Sequence, residues 1–172
     1  IANSQPLKGV PIQVACLHSY LPWGQIEKWE ESFKTEGKEI AAVVIACNYE
    51  EMEKGTEFLP ALRALTQKYG ILMVMDEIVT GFRLAIGGAH EYFKFLPDLA
   101  AFGKGLANGM PVTVYAGKSD LLEMSHEIGI SSTFGGETLS LAAVKATVEF
   151  YRKHNVINHL WEIGSLLQGG IN

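Results

Sequence analysis

The chain has 172 residues, of which 48% are hydrophobic and 19% charged, and a formal net charge of −5. This length is ordinary for one domain, and the composition is too apolar for a disordered chain. A pI near 5.5 without a basic stripe gives no electrostatic support for binding nucleic acid or an anionic membrane surface. No apolar stretch approaches the ~20 residues that cross a bilayer.

Cysteine usage and the N-terminal residues indicate a compartment. Cys16 and Cys47 fit neither a disulfide framework nor a metal-ligand spacing, and the histidines form no such spacing either. The run 10–17 is too short and too interrupted by polar residues for a signal peptide. We therefore expect a cytoplasmic protein with reduced thiols, and neither a metal ion nor a nucleic-acid or membrane partner.

Short apolar runs recur along the chain and predict strands. They lie at residues 10–16, 41–46, 71–75, 99–102 and 112–116. Most lack polar alternation, which is typical of strands buried on both faces of a parallel sheet.

Amphipathic stretches between these runs predict helices. They lie at residues 23–34, 56–69, 119–125, 139–151 and 154–167. Pro60 fits the second helix only in its first turn, and Gly70 is well placed to end that helix. Ser119 is the predicted N-cap of the third.

The alternation of strands and helices predicts an α/β fold: a three-layer, mainly parallel sheet with helices on both faces. Ten of the 18 glycines fall between Gly81 and Gly136. Glycine is used where backbone approaches a ligand, but a loop-rich, strained segment would have the same composition. Both interpretations stay open at this point.

Charged residues follow two of the predicted strands. Asp76 and Glu77 follow the run 71–75, and Lys104 follows the run 99–102 between two glycines. Ligands of open α/β sheets bind at the carboxyl ends of strands, so these side chains could flank one ligand. An Asp76–Lys104 salt bridge, or Asp76 capping a turn, would explain the same pattern. The flanking glycines favour a reactive lysine over a structural one, because they leave its side chain unshielded by neighbours. A desolvated lysine of this kind can form a Schiff base.

A third candidate site is the run SSTFGGET at residues 131–138, directly before a predicted helix. Hydroxyls and amides at a helix N-terminus bind anions such as phosphate, although simple capping by Thr138 or Ser132 is the alternative. Residues 117–119 (GKS) resemble the end of a P-loop. Val112 stands where that motif needs glycine, so this similarity carries no function.

Three motifs together resemble one family. MDEIVTGFR (75–83), PDLAAFGKGLANGMP (97–111) and SSTFGGETLSLAA (131–143) occur in the order found in class III aminotransferases, which are pyridoxal-phosphate enzymes of fold type I. The run 82–99 is most similar to the glutamate-1-semialdehyde aminomutase branch. The resemblance extends from about residue 9 to residue 151.

The resemblance implies a role for each matching residue. Lys104 would hold pyridoxal phosphate as a Schiff base and move the substrate proton. Asp76 would pair with the pyridinium nitrogen, so that the ring accepts electrons. Ile78 would pack against a face of the ring. Thr133 would bind the cofactor phosphate of the neighbouring subunit, which implies a homodimer.

Two positions depart from the family pattern. Ala46 and Cys47 stand where many relatives have Glu-Pro, and the loop that follows is short. Val79 replaces a glutamine found in many ω-aminotransferases, but the aminomutase branch is also apolar there. The first departure affects a loop near the family's active site.

The expected function is amino transfer between an amine or amino acid and a carbonyl acceptor. Intramolecular transfer of the aminomutase type is one alternative. A non-catalytic fragment, or an α/β binding module with a structural Asp76–Lys104 bridge, is another. The resemblance assigns residues 1–153 to the C-terminal half of the cofactor-binding large domain and 154–172 to the connection toward a small domain. We expect little turnover from the isolated chain.

Overall fold

The computed structural model describes residues 9–130 and 132–171. Residues 1–8 of the predicted domain and the first residue of the predicted anion site, Ser131, lie outside these ranges. One sheet is present in the described ranges, and its strands are β1 (Ala42–Ala46), β2 (Leu72–Asp76), β3 (Leu99–Phe102) and β4 (Val114–Gly117).

The sheet is mixed and follows chain order. β1, β2 and β3 are parallel neighbours, and β4 runs antiparallel to β3. The predicted mainly parallel α/β sheet with helices around it is therefore confirmed. The register pairs Ala46 with Asp76 and Asp76 with Ala101, which aligns the carboxyl ends of the three parallel strands.

Helices surround this sheet. In the described residues they are α1 (Ile12–Ala15), α2 (Ile26–Glu36), α3 (Gly55–Tyr69), α4 (Ala89–Tyr92), α5 (Ser119–Glu123), α6 (Thr138–Lys153) and α7 (Val156–Ile171). Single turns of 3₁₀ helix lie at Met52–Lys54, Lys104–Leu106 and Met124–His126. None of the described helices combines the length and the apolar character needed to cross a membrane.

One predicted strand is wrong. The run 10–16 contains the short helix α1 instead, beginning after Pro11. Ile12 and Val14 are 69% and 45% exposed, and none of the four described strands pairs with this run. A short apolar run does not distinguish strand from helix by periodicity, and tertiary pairing decided the outcome here.

Three details of the helices also differ from the predictions. Pro60 lies beyond the first turn of α3, because that helix begins at Gly55; its ring leaves the Thr56 carbonyl without the usual i+4 donor. Ser119 is the first residue of α5 rather than its cap, and Lys118 precedes it in extended conformation. Gly70 does end α3, with a left-handed φ of +68°.

The main hydrophobic core lies between α2, α3 and one face of the sheet. Its members from the strands alternate along the chain: Val43, Ile45, Met73 and Met75. The intervening Val44 is 56% exposed, so β1 buries one face rather than both. A smaller cluster of Phe82, Leu106 and Tyr151 joins α6 to the segments that follow β2 and β3.

A buried carboxylate joins the strands at their amino-terminal edge. Asp98, directly before β3, is 3% exposed. It accepts hydrogen bonds from both terminal nitrogens of Arg63 at 2.5 and 3.0 Å and from the Met73 backbone at 2.8 Å. Lys118 Nζ lies 2.7 Å from it. The Arg63 hydrogen bonds, helped by Lys118 and Met73, hold the pKa of Asp98 well below its usual range despite burial.

Candidate active site

Asp76 and Lys104 lie at the carboxyl ends of adjacent parallel strands. Asp76 is the last residue of β2, and Lys104 follows the last residue of β3 by two positions. The predicted meeting of an acid and a lysine at one sheet edge is therefore found. This is the edge at which ligands of open α/β sheets bind.

The two side chains are not joined to each other. No ion pair within 4.0 Å links Asp76 to Lys104 in the part of the chain that the structure describes. The structural bridge expected for a simple binding module is therefore absent from the described contacts. Asp76 Oδ1 instead accepts a hydrogen bond from the Ile78 amide at 3.0 Å, so Asp76 also caps the turn after β2.

Lys104 is exposed on a strained backbone. Its φ is +39°, in the left-handed region, which costs a non-glycine residue about 1–3 kcal/mol. The flanking Gly103 and Gly105 are buried, whereas Lys104 is exposed. Its side chain lines an open cavity of about 510 Å³ together with Arg83, Asn108, Gly109 and Met110.

Ile78 lies beside Gly103, the residue that precedes this lysine. A Cβ at Gly103 would lie 3.5 Å from Ile78 Cγ2 and 3.6 Å from Thr113 Cγ2. Ile78 is half-buried, so an apolar surface remains open at the same sheet edge. The structure thus places Asp76, Ile78 and Lys104 on adjoining segments.

Thr133 is not brought to this cluster by any described contact. It lies in the exposed turn before α6. Glu137, and neither Thr138 nor Ser132, caps that helix: its carboxylate accepts from the Leu139 and Ser140 amides, each at 2.7 Å. The Ser140 hydroxyl also donates to this carboxylate, at 2.6 Å, and that bond, with the two amide bonds, holds the pKa of Glu137 below its usual range. The amides predicted to bind an anion are thus engaged by a carboxylate.

The match to a protein family includes all of these segments. The family model for class III aminotransferases covers residues 21–172. The chain belongs to the class III aminotransferase family. The resemblance predicted from the three motifs is confirmed.

Relatives of this class III aminotransferase chain include two curated proteins. It is 38% identical over 168 residues to the glutamate-1-semialdehyde 2,1-aminomutase of Sulfurihydrogenibium azorense, covering 94% of this chain and 39% of that protein. The enzyme of the same name from Thermomicrobium roseum is 39% identical over 157 residues, covering 88% and 36%. The chain thus spans less than half the length of these relatives.

A solved structure has the same fold. The internal aldimine form of the FumI protein of Sphingopyxis sp. MTA144, with pyridoxal phosphate, superimposes with a TM-score of 0.87 at 22% identity. The match covers 98% of this chain and 42% of that one. This likeness confirms the fold type I architecture.

One functional candidate of this aminotransferase chain was not assigned from sequence. Glu77, next to Asp76, is fully buried and accepts hydrogen bonds from Thr80 Oγ1, from the Ala89 amide at 2.7 Å and from the His90 amide at 2.8 Å. His90 Nδ1 lies 3.0 Å from it. Glu77 therefore holds the segment from β2 to α4 in place. The signal in the sequence was the position of this acid directly after a buried strand. Charged residues are rarely buried without a partner, so that position predicts a paired carboxylate.

The loop that departs from the family pattern lies near Asp76. Burial, with the charge of Glu77, raises the pKa of the Cys47 thiol to about 11. Burial, followed by the charges of Cys47, Asp76 and Glu77, raises the pKa of the Tyr49 phenol to about 12. Both groups are therefore neutral near pH 7, so this loop carries an uncharged, buried thiol and an uncharged phenol close to Asp76.

Proposed function

We propose that the full protein is a pyridoxal-phosphate-dependent class III aminotransferase and that this chain supplies part of its cofactor site. The observation that supports this most is the placement of Asp76 and Lys104 at adjoining strand ends without a bond between them. A structural salt bridge would have joined the two side chains. An acid that has no ion pair among the described residues, and an exposed lysine at the same edge, are the groups that a cationic ring and an aldehyde require.

The residues present fit this cofactor. Bound pyridoxal phosphate supplies an electron sink for the bonds at the substrate amine carbon. Asp76 would hold a proton on the ring nitrogen, because an adjacent carboxylate favours the protonated form. Ile78 would cover one face of the ring, and Lys104 would hold the aldehyde carbon and afterwards accept and return a proton as a general base.

The substrates in this proposal are small amines or amino acids and carbonyl acceptors. Transfer between two separate substrates is the first candidate, because Ala46 and Cys47 depart from the family pattern in the loop after β1. A specific observation favours a second candidate, intramolecular transfer: both curated relatives described above are named aminomutases. Adding glutamate 1-semialdehyde alone, without an acceptor, separates the two reactions.

The proposal extends to assembly, domain arrangement and location. Thr133 is exposed and outside the Lys104 cluster, which fits a role toward the cofactor phosphate of a second subunit in a homodimer. Residues 1–153 would belong to the large domain and 154–172 to the connection with a small domain. The free cysteines Cys16 and Cys47 fit the cytoplasm.

Substitution of the lysine in the full protein tests the proposal. Lys104→Ala should abolish the visible absorbance band of bound cofactor and the amino transfer, because no amine remains to condense with the aldehyde. Lys68→Ala, on the exposed surface of α3, is the matched control and should retain both. An unchanged band in Lys104→Ala would overturn the assignment.

Asp76→Asn tests the electron sink separately. Asparagine keeps an oxygen for the Ile78 amide but carries no charge, so cofactor should still bind while the rate falls by orders of magnitude. A near-normal rate in this variant would contradict the role of Asp76. The rate constant of a single half-reaction with an amino donor is the measurement.

A further inference from the structure

The turn that carries Lys104 has a strained backbone and is contacted by the side chain of Arg83. Leu106 bonds to the Gly103 carbonyl and Asn108 to the Lys104 carbonyl, each at 2.9 Å. The turn nevertheless contains two left-handed non-glycine residues, Lys104 at +39° and Asn108 at +44°. Such conformations persist only where the surroundings impose them.

The Arg83 guanidinium lies directly on this turn. A Cβ at Gly105 would lie 2.8 Å from its Nη1 and 3.1 Å from its Cζ. This means that Gly105 leaves the space that the guanidinium fills. Nη2 donates to Asn108 Oδ1 at 3.4 Å. Arg83 therefore contacts the turn at the middle of its 3₁₀ segment and again two residues after that segment ends.

The other end of the contact is anchored to α6. Arg83 Nη1 donates to the Phe82 carbonyl at 3.0 Å and to the Tyr151 hydroxyl at 3.3 Å. Tyr151 is 9% exposed, and its hydroxyl donates to the same Phe82 carbonyl at 3.0 Å. One guanidinium thus joins the segment after β2, the Lys104 turn and helix α6.

No acid pairs with this cation in the described ranges 9–130 and 132–171, where its described partners are a carbonyl, a hydroxyl and an amide oxygen. Arg83 lines the same cavity as Lys104. We propose that Arg83 is a positioning residue that sets the backbone of the Lys104 turn and so directs the lysine amine into that cavity. This inference rests on the proposed function, because it assigns Arg83 a task only if Lys104 binds the cofactor.

The planar fork of Arg83 explains why lysine would not replace it. Its nitrogens diverge to reach Phe82, Tyr151 and Asn108 at once, whereas an ammonium group is a single point. Its flat face also fits against the backbone at Gly105. Arg83→Lys keeps the charge and most of the packing but loses this span.

The test measures how fast Lys104 captures pyridoxal phosphate in the full apoprotein. The amine condenses with the aldehyde and releases water. Borohydride then reduces the C=N bond to a stable secondary amine, which peptide mapping locates. Arg83→Met should lower this capture rate by about 10- to 100-fold, the size expected for misplacing a reacting group by about 1 Å. Arg152→Met, at the exposed end of α6, is the control and should match the wild type.

Two further readouts separate positioning from loss of fold. Visible circular dichroism of the bound cofactor, recorded before borohydride is added, reports its orientation and should change in Arg83→Met. Arg83→Lys keeps the fold and should show an intermediate capture rate. A wild-type rate and dichroism in either variant would overturn the inference. Wild-type protein that incorporates no cofactor at Lys104 would instead refute the proposed function.

Discussion

Two aspartates at opposite ends of the same strands have opposite surroundings. Asp98, before β3, is buried and bonded to Arg63, Lys118 and the Met73 amide. Asp76, at the end of β2, is half-buried, and its described bond is to the Ile78 amide alone.

The difference gives a criterion for telling a carboxylate that supports the fold from one that is available to a ligand. A carboxylate that is fully paired inside the chain has its hydrogen-bonding capacity used, and removing its charge leaves the buried partner uncompensated. A carboxylate with capacity to spare, at a ligand-binding edge, remains available to a ligand. The amino-terminal edge therefore joins the strands through paired charges, and the carboxyl edge is the one to which we assign the proposed cofactor site.

The largest effect on stability is expected from Asp98→Asn. This change leaves the Arg63 guanidinium buried without its counter-charge, which costs about 3–5 kcal/mol. Denaturant unfolding of the full protein measures the loss, with Asp120→Asn in the exposed first turn of α5 as the control. If Asp98→Asn proves no less stable than the control, the structural role of this edge is wrong.

Acid should weaken the same edge. Because the pKa of Asp98 is depressed by folding, its contribution is complete above the pKa of an unfolded aspartate, about 3.9. It is lost as the pH falls through the lower value of the folded state. Glu137 contributes in the same direction, so the comparison of wild type with Asp98→Asn isolates Asp98. Thermal unfolding between pH 6 and 2 should show the two curves converging at the acid end; parallel curves would contradict the pairing.

Glu77→Gln should have an intermediate effect and sharpens the comparison, because Glu77 lies at the carboxyl edge of the sheet yet is fully paired. Glutamine has an NH₂ group in place of one carboxylate oxygen. That NH₂ donor would face one of the backbone N–H donors of Ala89 and His90. Loss of charge-assisted bonds costs about 1.5–3 kcal/mol. Glu91→Gln, at the partly exposed α4, is the control. Equal unfolding of the two variants would show that paired charge does not stabilise this edge.

The smallest stability change is expected for Asp76→Asn. Asparagine still accepts from the Ile78 amide, so the unfolding free energy should move by about 0.5 kcal/mol or less. Apoprotein is used for this measurement, since bound cofactor would add its own stabilisation. A loss as large as that of Asp98→Asn would erase the contrast between the two edges.

Local sequence patterns predicted most of the helices and strands, because the start or end of each depends on residues that are close together in sequence. The strand 99–102 matches β3 (Leu99–Phe102), and Gly70 ends α3 as expected, since each depends on its neighbours in sequence. The run 10–16 failed because its apolar residues found no sheet partner. Pro60 was misplaced because the start of α3 is set by the preceding 3₁₀ turn.

The sequence predicted which residues lie at the candidate site but not the contacts that hold them there. Adjacent strand ends were enough to expect Asp76 near Lys104. The supporting contacts join residues far apart in sequence, such as Arg63 with Asp98 and Arg83 with Tyr151, and no periodicity encodes them. The Glu137 cap was missed because hydroxyl residues in the same run offered equally good caps.

Gly88 shows how one close contact limits the substitutions that two positions tolerate. Its φ is +87°, and a Cβ there would collide with Glu77 Oε2. A side chain at position 88 is therefore compatible with this fold only if position 77 becomes smaller, and a smaller residue at 77 leaves the amides of Ala89 and His90 without an acceptor. Natural variants should therefore change position 88 only together with position 77, two sites eleven residues apart in sequence.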